Sequence, residues 1–248
     1  MSSTRSPSLM APATNPSVLI VAHGSPSDPG PQETFVTGIA ARVQTLTGQN
    51  VRGATLAMSG AIKAAVSGFK DPVVYPLFMA DGWFVSTHLP KRLKGAGLAR
   101  WHMATSLGMD PGLPALALAR LSHEIAKHDL PVGRTDLVLA AHGSPSDPRP
   151  ARATKVFADA MAKSNLFRRV QVGFVDEEPS LETAAHVDGP ALVLPFFAAR
   201  AGHVLMDRPK ALDRAGFTGP VLDPIGTWDT IPDLIANALR DLQKAHAA

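Results

Sequence analysis

The chain has 248 residues, a formal net charge of +3 and no cysteine, which excludes a disulfide scaffold and any thiolate metal site. A metal centre must therefore be built from His, Asp, Glu and water. With 45% apolar and 18% charged residues the composition is globular; there is no nucleic-acid type block of Lys and Arg, and no run of the roughly 20 apolar residues that a membrane helix needs. Residues 1–16, rich in Ser, Pro, Thr and Ala and lacking the apolar core of a secretory signal, are expected to form a disordered tail. A cytoplasmic location is the matching expectation. The first apolar run, Val18 to Val21, leads into Ala22-His23-Gly24-Ser25-Pro26-Ser27-Asp28-Pro29, a strand breaking into a glycine turn. Phe35, Ile39, Val43 and Leu46 recur at helical spacing and predict a helix over Pro31 to Leu46 that Gly48 closes. Val51 to Ala57 reads as a second strand, Ala61 to Phe69 as a short helix and Pro72 to Phe78 as a third strand. Asp81 to Leu93, which includes Trp83, Phe84 and His88, reads as a loop running into a helix, followed by a fourth strand at Trp101 to Ser106 and a closing helix at Pro114 to His128.

The eight residues of the first turn return unchanged as Ala141-His142-Gly143-Ser144-Pro145-Ser146-Asp147-Pro148, 119 residues later. The order of elements returns with them: a strand at Leu137, a helix over Ala151 to Ala162, a strand at Val170 to Val175 and a helix from Pro179. A strand at Ala191 to Phe197, a helix to Leu212, a strand near Val221 and a helix at Ile231 to Ala245 complete it. One unit is thus written twice. The expected fold is α/β, two tandem and similar open parallel-sheet domains spanning 17–130 and 131–248 with Pro131 to Arg134 as linker.

In open parallel sheets ligands bind beyond the carboxyl ends of the strands, so the residues just after each strand carry the functional information. In the second unit these are His142, then Asp176-Glu177-Glu178, then Arg200 and His203, a metal-site inventory on one rim. In the first unit His23 matches His142, but Ala57-Met58-Ser59 replaces the acids and Phe84 takes the place of His203; His88 falls one helical turn further on. Plainer readings stand beside these. His23 and His142 serve equally as turn residues, Ser25, Ser27 and Asp28 as turn or cap groups, and Glu177 and Glu178 as first-turn acids on a helix dipole. His102, His123, His128, His186 and His246 read as solvated or helix-surface positions. Neither G-x-S-x-G, G-x-G-x-x-G nor a P-loop occurs after the first strands, so nucleotide binding has no support.

The chain resembles the CbiX-type sirohydrochlorin cobaltochelatases in their long, internally duplicated form. The resemblance rests on His23-Gly24-Ser25 and His142-Gly143-Ser144, on Glu177-Glu178-Pro179-Ser180-Leu181, on Pro195-Phe196-Phe197 through Ala201-Gly202-His203-Val204 to Asp207 and Pro209, and on Pro224-Ile225-Gly226. It implies a class II chelatase fold, two α/β halves facing a shared cleft, and metal insertion without ATP. It also implies that His142 and His203 bind the metal and assist insertion.

The chemistry agrees on its own terms. Inserting a divalent metal into a tetrapyrrole strips water from the metal and removes two pyrrole protons, which calls for neutral imidazoles and nearby bases. The expected assignment gives catalysis to His142, His203, Glu177 and Glu178, and metal contacts to His142, His203, His23 and His88. Arg149, Arg152, Arg200, Arg208 and Ser144 would hold the carboxylates of an acidic macrocycle. Phe84, Trp83, Phe196 and Phe197 are candidates to pack on its ring, with core filling the nearer duty of Phe196 and Phe197. The metal substrate is expected to be Co²⁺, with Fe²⁺ or Ni²⁺ as alternatives, in cobalamin or sirohaem synthesis, and with no nucleotide, nucleic acid or membrane as partner. A monomer is expected, the duplication standing in for a dimer. The rival readings are a non-catalytic metal- or tetrapyrrole-binding protein of the same fold, and a chelatase for a different metal and macrocycle.

Overall fold

The computed structural model describes residues 16–200 and 209–247. His203, Asp207 and Arg208 lie outside the described residues, as does all of the expected tail except Pro16. The first half is built from β1 (Val18–Ala22), α1 (Pro29–Thr47), β2 (Val51–Thr55), α2 (Ala61–Ala65) and β3 (Val73–Pro76). It continues with a π-helical turn (Phe84–His88), α3 (Leu89–Gly95), β4 (His102–Met103) and α4 (Leu113–Lys127). The second half has β5 (Asp136–Ala141), α5 (Pro148–Ala162), β6 (Arg169–Phe174), α6 (Leu181–Ala184), β7 (Ala191–Pro195), helical residues 209–214 as α7, and α8 (Ile231–Ala247). All pairings are parallel, in the orders β2-β1-β3-β4 and β6-β5-β7.

The repeat is held at the level of hydrogen-bond register. Val18 pairs with Val51 and Val73, and Leu137 pairs with Val170 and Leu192, so one offset of 119 residues maps one sheet onto the other. The expected fourth strands shrink. Trp101 to Ser106 contributes only His102–Met103, and the segment near Val221 contributes only a bridge from Val221 to Val193. Pro220 and Pro224 flank that bridge, and a residue without an N–H cannot extend a ladder. Helices α1 and α5 start earlier than expected, each with Pro in its first turn, where the missing N–H costs nothing. Helix α6 starts at Leu181 rather than Pro179, because the Ser180 hydroxyl accepts the Thr183 N–H as its N-cap.

Side chains alternate across the two first strands, and the alternation divides the core into three. Val18, Ile20 and Ala22 of β1 and Leu137, Leu139 and Ala141 of β5 all enter one apolar cluster, while Leu19 and Val21 face a cluster with α2 and α3, and Val138 and Ala140 face one with α6 and α7. The shared cluster is completed by Val36, Ile39 and Val43 of α1, Leu113, Leu121 and Ile125 of α4, Phe157 and Met161 of α5, and Ile231, Ile235 and Leu239 of α8. These four helices form a layer between the sheets. Within it α8 packs on α1 and α4 on α5, so each half is covered by the last helix of the other. The Arg42 guanidinium, donating to the Asp229 carbonyl at 2.6 Å, and that of Arg240, donating to the Leu46 carbonyl at 2.8 Å, fasten the first of these contacts.

At the amino end of β5, Asp136 is fully buried and receives the guanidinium groups of Arg168 at 2.8 Å and Arg169 at 2.9 Å. The Arg168 hydrogen bonds hold its carboxyl below the usual range, against the opposing effect of burial. Replacing Asp136 by Ala is expected to destabilise the protein by about 1–3 kcal/mol, since both arginine heads can rehydrate. With the folded-state value depressed, the gap between wild type and variant in urea unfolding is full above pH about 4 and closes as the pH falls below it.

Candidate active site

The two rims are made by residues leaving the parallel strands. His23 follows β1 and His142 follows β5, and each histidine carbonyl accepts a backbone N–H from the chain leaving the second strand, Ala57 to His23 and Asp176 to His142, both at 3.0 Å. Gly24 and Gly143 turn the chain at φ of 79° and 76°. Those positive angles favour glycine, and so does the space: a Cβ on Gly24 would stand 2.8 Å from the side chains of Thr55 and Ala57, and one on Gly143 would stand 2.7 Å from Glu177 Cγ.

The second rim carries the acids. His142 Nδ1 lies 3.0 Å from Asp176 Oδ2, with both side chains about half exposed. A ring nitrogen that donates to a carboxylate fixes the tautomer, which leaves the Nε2 lone pair free to face solvent or a ligand. Glu177 folds back over Gly143, and its Oε1 is buried without a hydrogen-bond partner among the described residues. Glu178 turns the other way and accepts the Ser180 N–H at 2.8 Å, at the start of α6. Asp176 and Glu177 are therefore the acids next to the histidine turn. Asp176 is one of the strand-end acids in the sequence, where the expected roles fall to Glu177 and Glu178; the parallel pairing of Ala141 with Phe174 is the signal that sets Asp176 beside His142.

The first rim is aromatic. His23 Nδ1 donates to the Gly24 carbonyl at 2.8 Å, and the Phe84 ring meets the imidazole edge-on at 4.3 Å. The π-helical turn begins early enough for His88 to join the group, its ring 5.2 Å from Trp83 and inclined by 30°. Trp83 and Phe84 are 50% and 39% exposed. Phe196 and Phe197, at 1% and 6%, are core residues, Phe196 stacking on Phe157 at 4.6 Å.

The second motif copy also reaches the first half. Asp147 caps α5 by accepting the Arg149 N–H at 3.0 Å, takes the Arg149 guanidinium at 2.8 Å, and accepts the Trp83 N–H at 3.2 Å. Arg149 in turn donates to the Ser86 hydroxyl at 2.9 Å. The Arg149 side chain holds the Asp147 carboxyl down to about 2. On the other side of the molecule the Gln32 amide donates to the Arg200 carbonyl, and the Arg200 guanidinium pairs with Asp223 at 2.6 Å. Of the other expected macrocycle contacts, Arg152 is exposed on α5 and Ser144 half-buried beside Gly143. Among the described residues no group of three His, Asp or Glu side chains is placed to hold a metal ion.

A twice-written parallel α/β unit, with an imidazole and two carboxylates at one strand rim, defines a protein of chelatase fold. Residues 17–124 and 136–242 each match the CbiX family model, and the chain belongs to the CbiX family. A solved CbiX, described as the terminal enzyme for biosynthesis of siroheme in denitrifying bacteria, is 42% identical at a TM-score of 0.83, over 91% of this chain and 98% of that one. SirB from Bacillus subtilis, solved with Fe³⁺, shares the fold at a TM-score of 0.72 and 16% identity, over 92% of this chain and 95% of its own. A probable sirohydrochlorin cobaltochelatase of Halobacterium salinarum is 21% identical over 220 residues, which is 78% of this chain and 75% of the relative.

Asp147→Ala should release the segment 82–88 from the second half without unfolding either sheet. Amide hydrogen exchange at Trp83 is expected to accelerate by about tenfold or more as its acceptor is lost. Exchange in β1 and β5 should stay at the wild-type rate.

Proposed function

We propose that the protein inserts a divalent metal into sirohydrochlorin without nucleotide hydrolysis, with Co²⁺ the foremost metal and Fe²⁺ or Ni²⁺ as alternatives, on the rim that His142 opens. As a CbiX family member the chain is a chelatase; no helix among the described residues is long and apolar enough to cross a membrane. The observation that carries the reading is the pairing of His142 with Asp176 at 3.0 Å beside the unpartnered Glu177 Oε1.

Insertion exchanges two pyrrole N–H protons for M²⁺, so the site must hold the metal while it loses water and must accept protons as the ring nitrogens take over. Asp176 keeps the His142 Nδ1 proton in place and so turns the Nε2 lone pair toward the incoming metal. A neutral imidazole binds Co²⁺, Fe²⁺ and Ni²⁺ firmly enough to compete with water and loosely enough to surrender them to four ring nitrogens. His203 is the proposed second imidazole. Glu177, with one buried oxygen that no described residue satisfies, is the group proposed to take a pyrrole proton. Glu178 is tied to Ser180 in this structure and would serve after leaving that bond. His23 and His88 extend the proposed metal contacts to the opposite rim, and Arg149, Arg152, Arg200 and Arg208, with Ser144, are the proposed contacts for the substrate carboxylates.

The test is the visible spectrum of sirohydrochlorin mixed with Co²⁺ and enzyme. Wild type should convert it, while His142→Ala should lose at least about 100-fold in rate, and Asp176→Ala about 10–100-fold through loss of the supporting hydrogen bond. Asp176→Asn, whose amide oxygen still accepts from Nδ1, should keep more activity than Asp176→Ala. Tight Co²⁺ binding with no spectral conversion would instead identify a metal-carrying protein.

A further inference from the structure

The first rim has kept the motif but not the acids. Ala57 stands where Asp176 stands, and Phe84 lies edge-on to His23 at 4.3 Å, so the imidazole is covered on one side and, among the described residues, pairs with no carboxylate. In exchange the rim exposes ring faces. The Trp83 and His88 rings lie 5.2 Å apart, inclined by 30°, and half of Trp83 is open to solvent at the carboxyl ends of the strands. An exposed indole backed by a second ring is a costly surface unless something flat covers it. Lys91 and Arg92 follow His88 by three and four residues on α3, which places them one turn further along the same side. Lys91 is exposed, and neither is paired with a carboxylate among the described residues. The whole segment is fixed toward the second half by the bonds from Asp147 to the Trp83 N–H and from Arg149 to Ser86.

From this we infer that the halves divide the work: the first rim holds the flat macrocycle, its ring on Trp83 and its peripheral carboxylates on Lys91 and Arg92, while the second rim brings the metal through His142. This rests on the chelatase reading above and adds to it a substrate-holding surface on the half that lacks the acids. The ligand chemistry is a planar conjugated ring edged with carboxylates, which matches aromatic faces followed by cations. His23 and His88 line this wall, and the contacts proposed for them above are made with the metal only after His142 has delivered it to the seated ring.

The two rims can be separated by measuring each ligand alone. Metal-free sirohydrochlorin and uroporphyrin, an octacarboxylate porphyrin, are titrated against wild type, Trp83→Ala, Trp83→Phe, Lys91→Ala and His142→Ala by absorption, and Co²⁺ alone by calorimetry, with circular dichroism to confirm folding. Trp83→Ala is expected to weaken macrocycle binding about tenfold and Trp83→Phe less than threefold, because a phenyl ring keeps most of the stacking. Lys91→Ala should weaken it several-fold at low salt and less at high salt. Co²⁺ affinity should be unchanged in Trp83→Ala and lost in His142→Ala, whose macrocycle affinity stays within about twofold of wild type. Equal macrocycle affinity in wild type and folded Trp83→Ala would overturn the division alone. A wild-type protein that binds neither macrocycle would overturn the chelatase reading and the division together.

Discussion

Everything in this molecule hangs on the apolar layer that α1, α4, α5 and α8 form between two parallel sheets. Each sheet has one face of β-branched and leucine side chains that water cannot solvate cheaply, and the same layer covers both. Because α8 lies on α1 and α4 on α5, neither half closes its own core. The halves are consequently held together by burial rather than by surface contacts, and the hydrogen bonds between them refine a geometry that packing has already set. That is why an exposed group such as Arg149 can span the halves while contributing little to stability.

The duplication was legible because eight identical residues and a fixed offset leave few alternatives, and parallel register follows once the strands are placed. The strands β1 and β5 were legible as unbroken apolar runs. What the sequence hid was of two kinds. Strand length near Val221 is decided by which residues lack an N–H and by how exposed the sheet edge is, neither of which periodicity reports. The exchange of α4 and α8 between halves is a tertiary choice, since an amphipathic helix names its buried face but not the surface that covers it. At the candidate site, strand-end position pointed to His142, Glu177 and Glu178, and the 119-residue offset to Phe84. Asp176 was in view, yet its pairing with His142 depends on a rotamer and on the register beside Ala141.

The two copies of the motif show how little a motif says about chemistry by itself. In one setting the histidine ring donates to a carboxylate and in the other to its neighbour's carbonyl, 3.0 and 2.8 Å away respectively. The backbone around both is the same to the hydrogen bond. The difference lies wholly in the residues delivered by the next strand and the next loop, Asp176 and Glu177 against Ala57, and Phe84 in the place of His203. Ala57, Asp176 and Glu177 sit past the last paired residues of their strands, where side chains can change without a cost in ladder hydrogen bonds.

The capping bond of Asp147 has a consequence for how such a protein can diverge. The same carboxylate starts a helix, neutralises Arg149 and pins the Trp83 amide, so a change at this one position alters an element boundary and the spacing of the walls together. Residues burdened with three duties resist replacement, whereas their neighbours with one duty do not. The identity of the two octapeptides does not extend to these duties: Asp28, the counterpart of Asp147, stands at the start of α1 without a side-chain capping bond, so the mechanical constraint falls on the second copy.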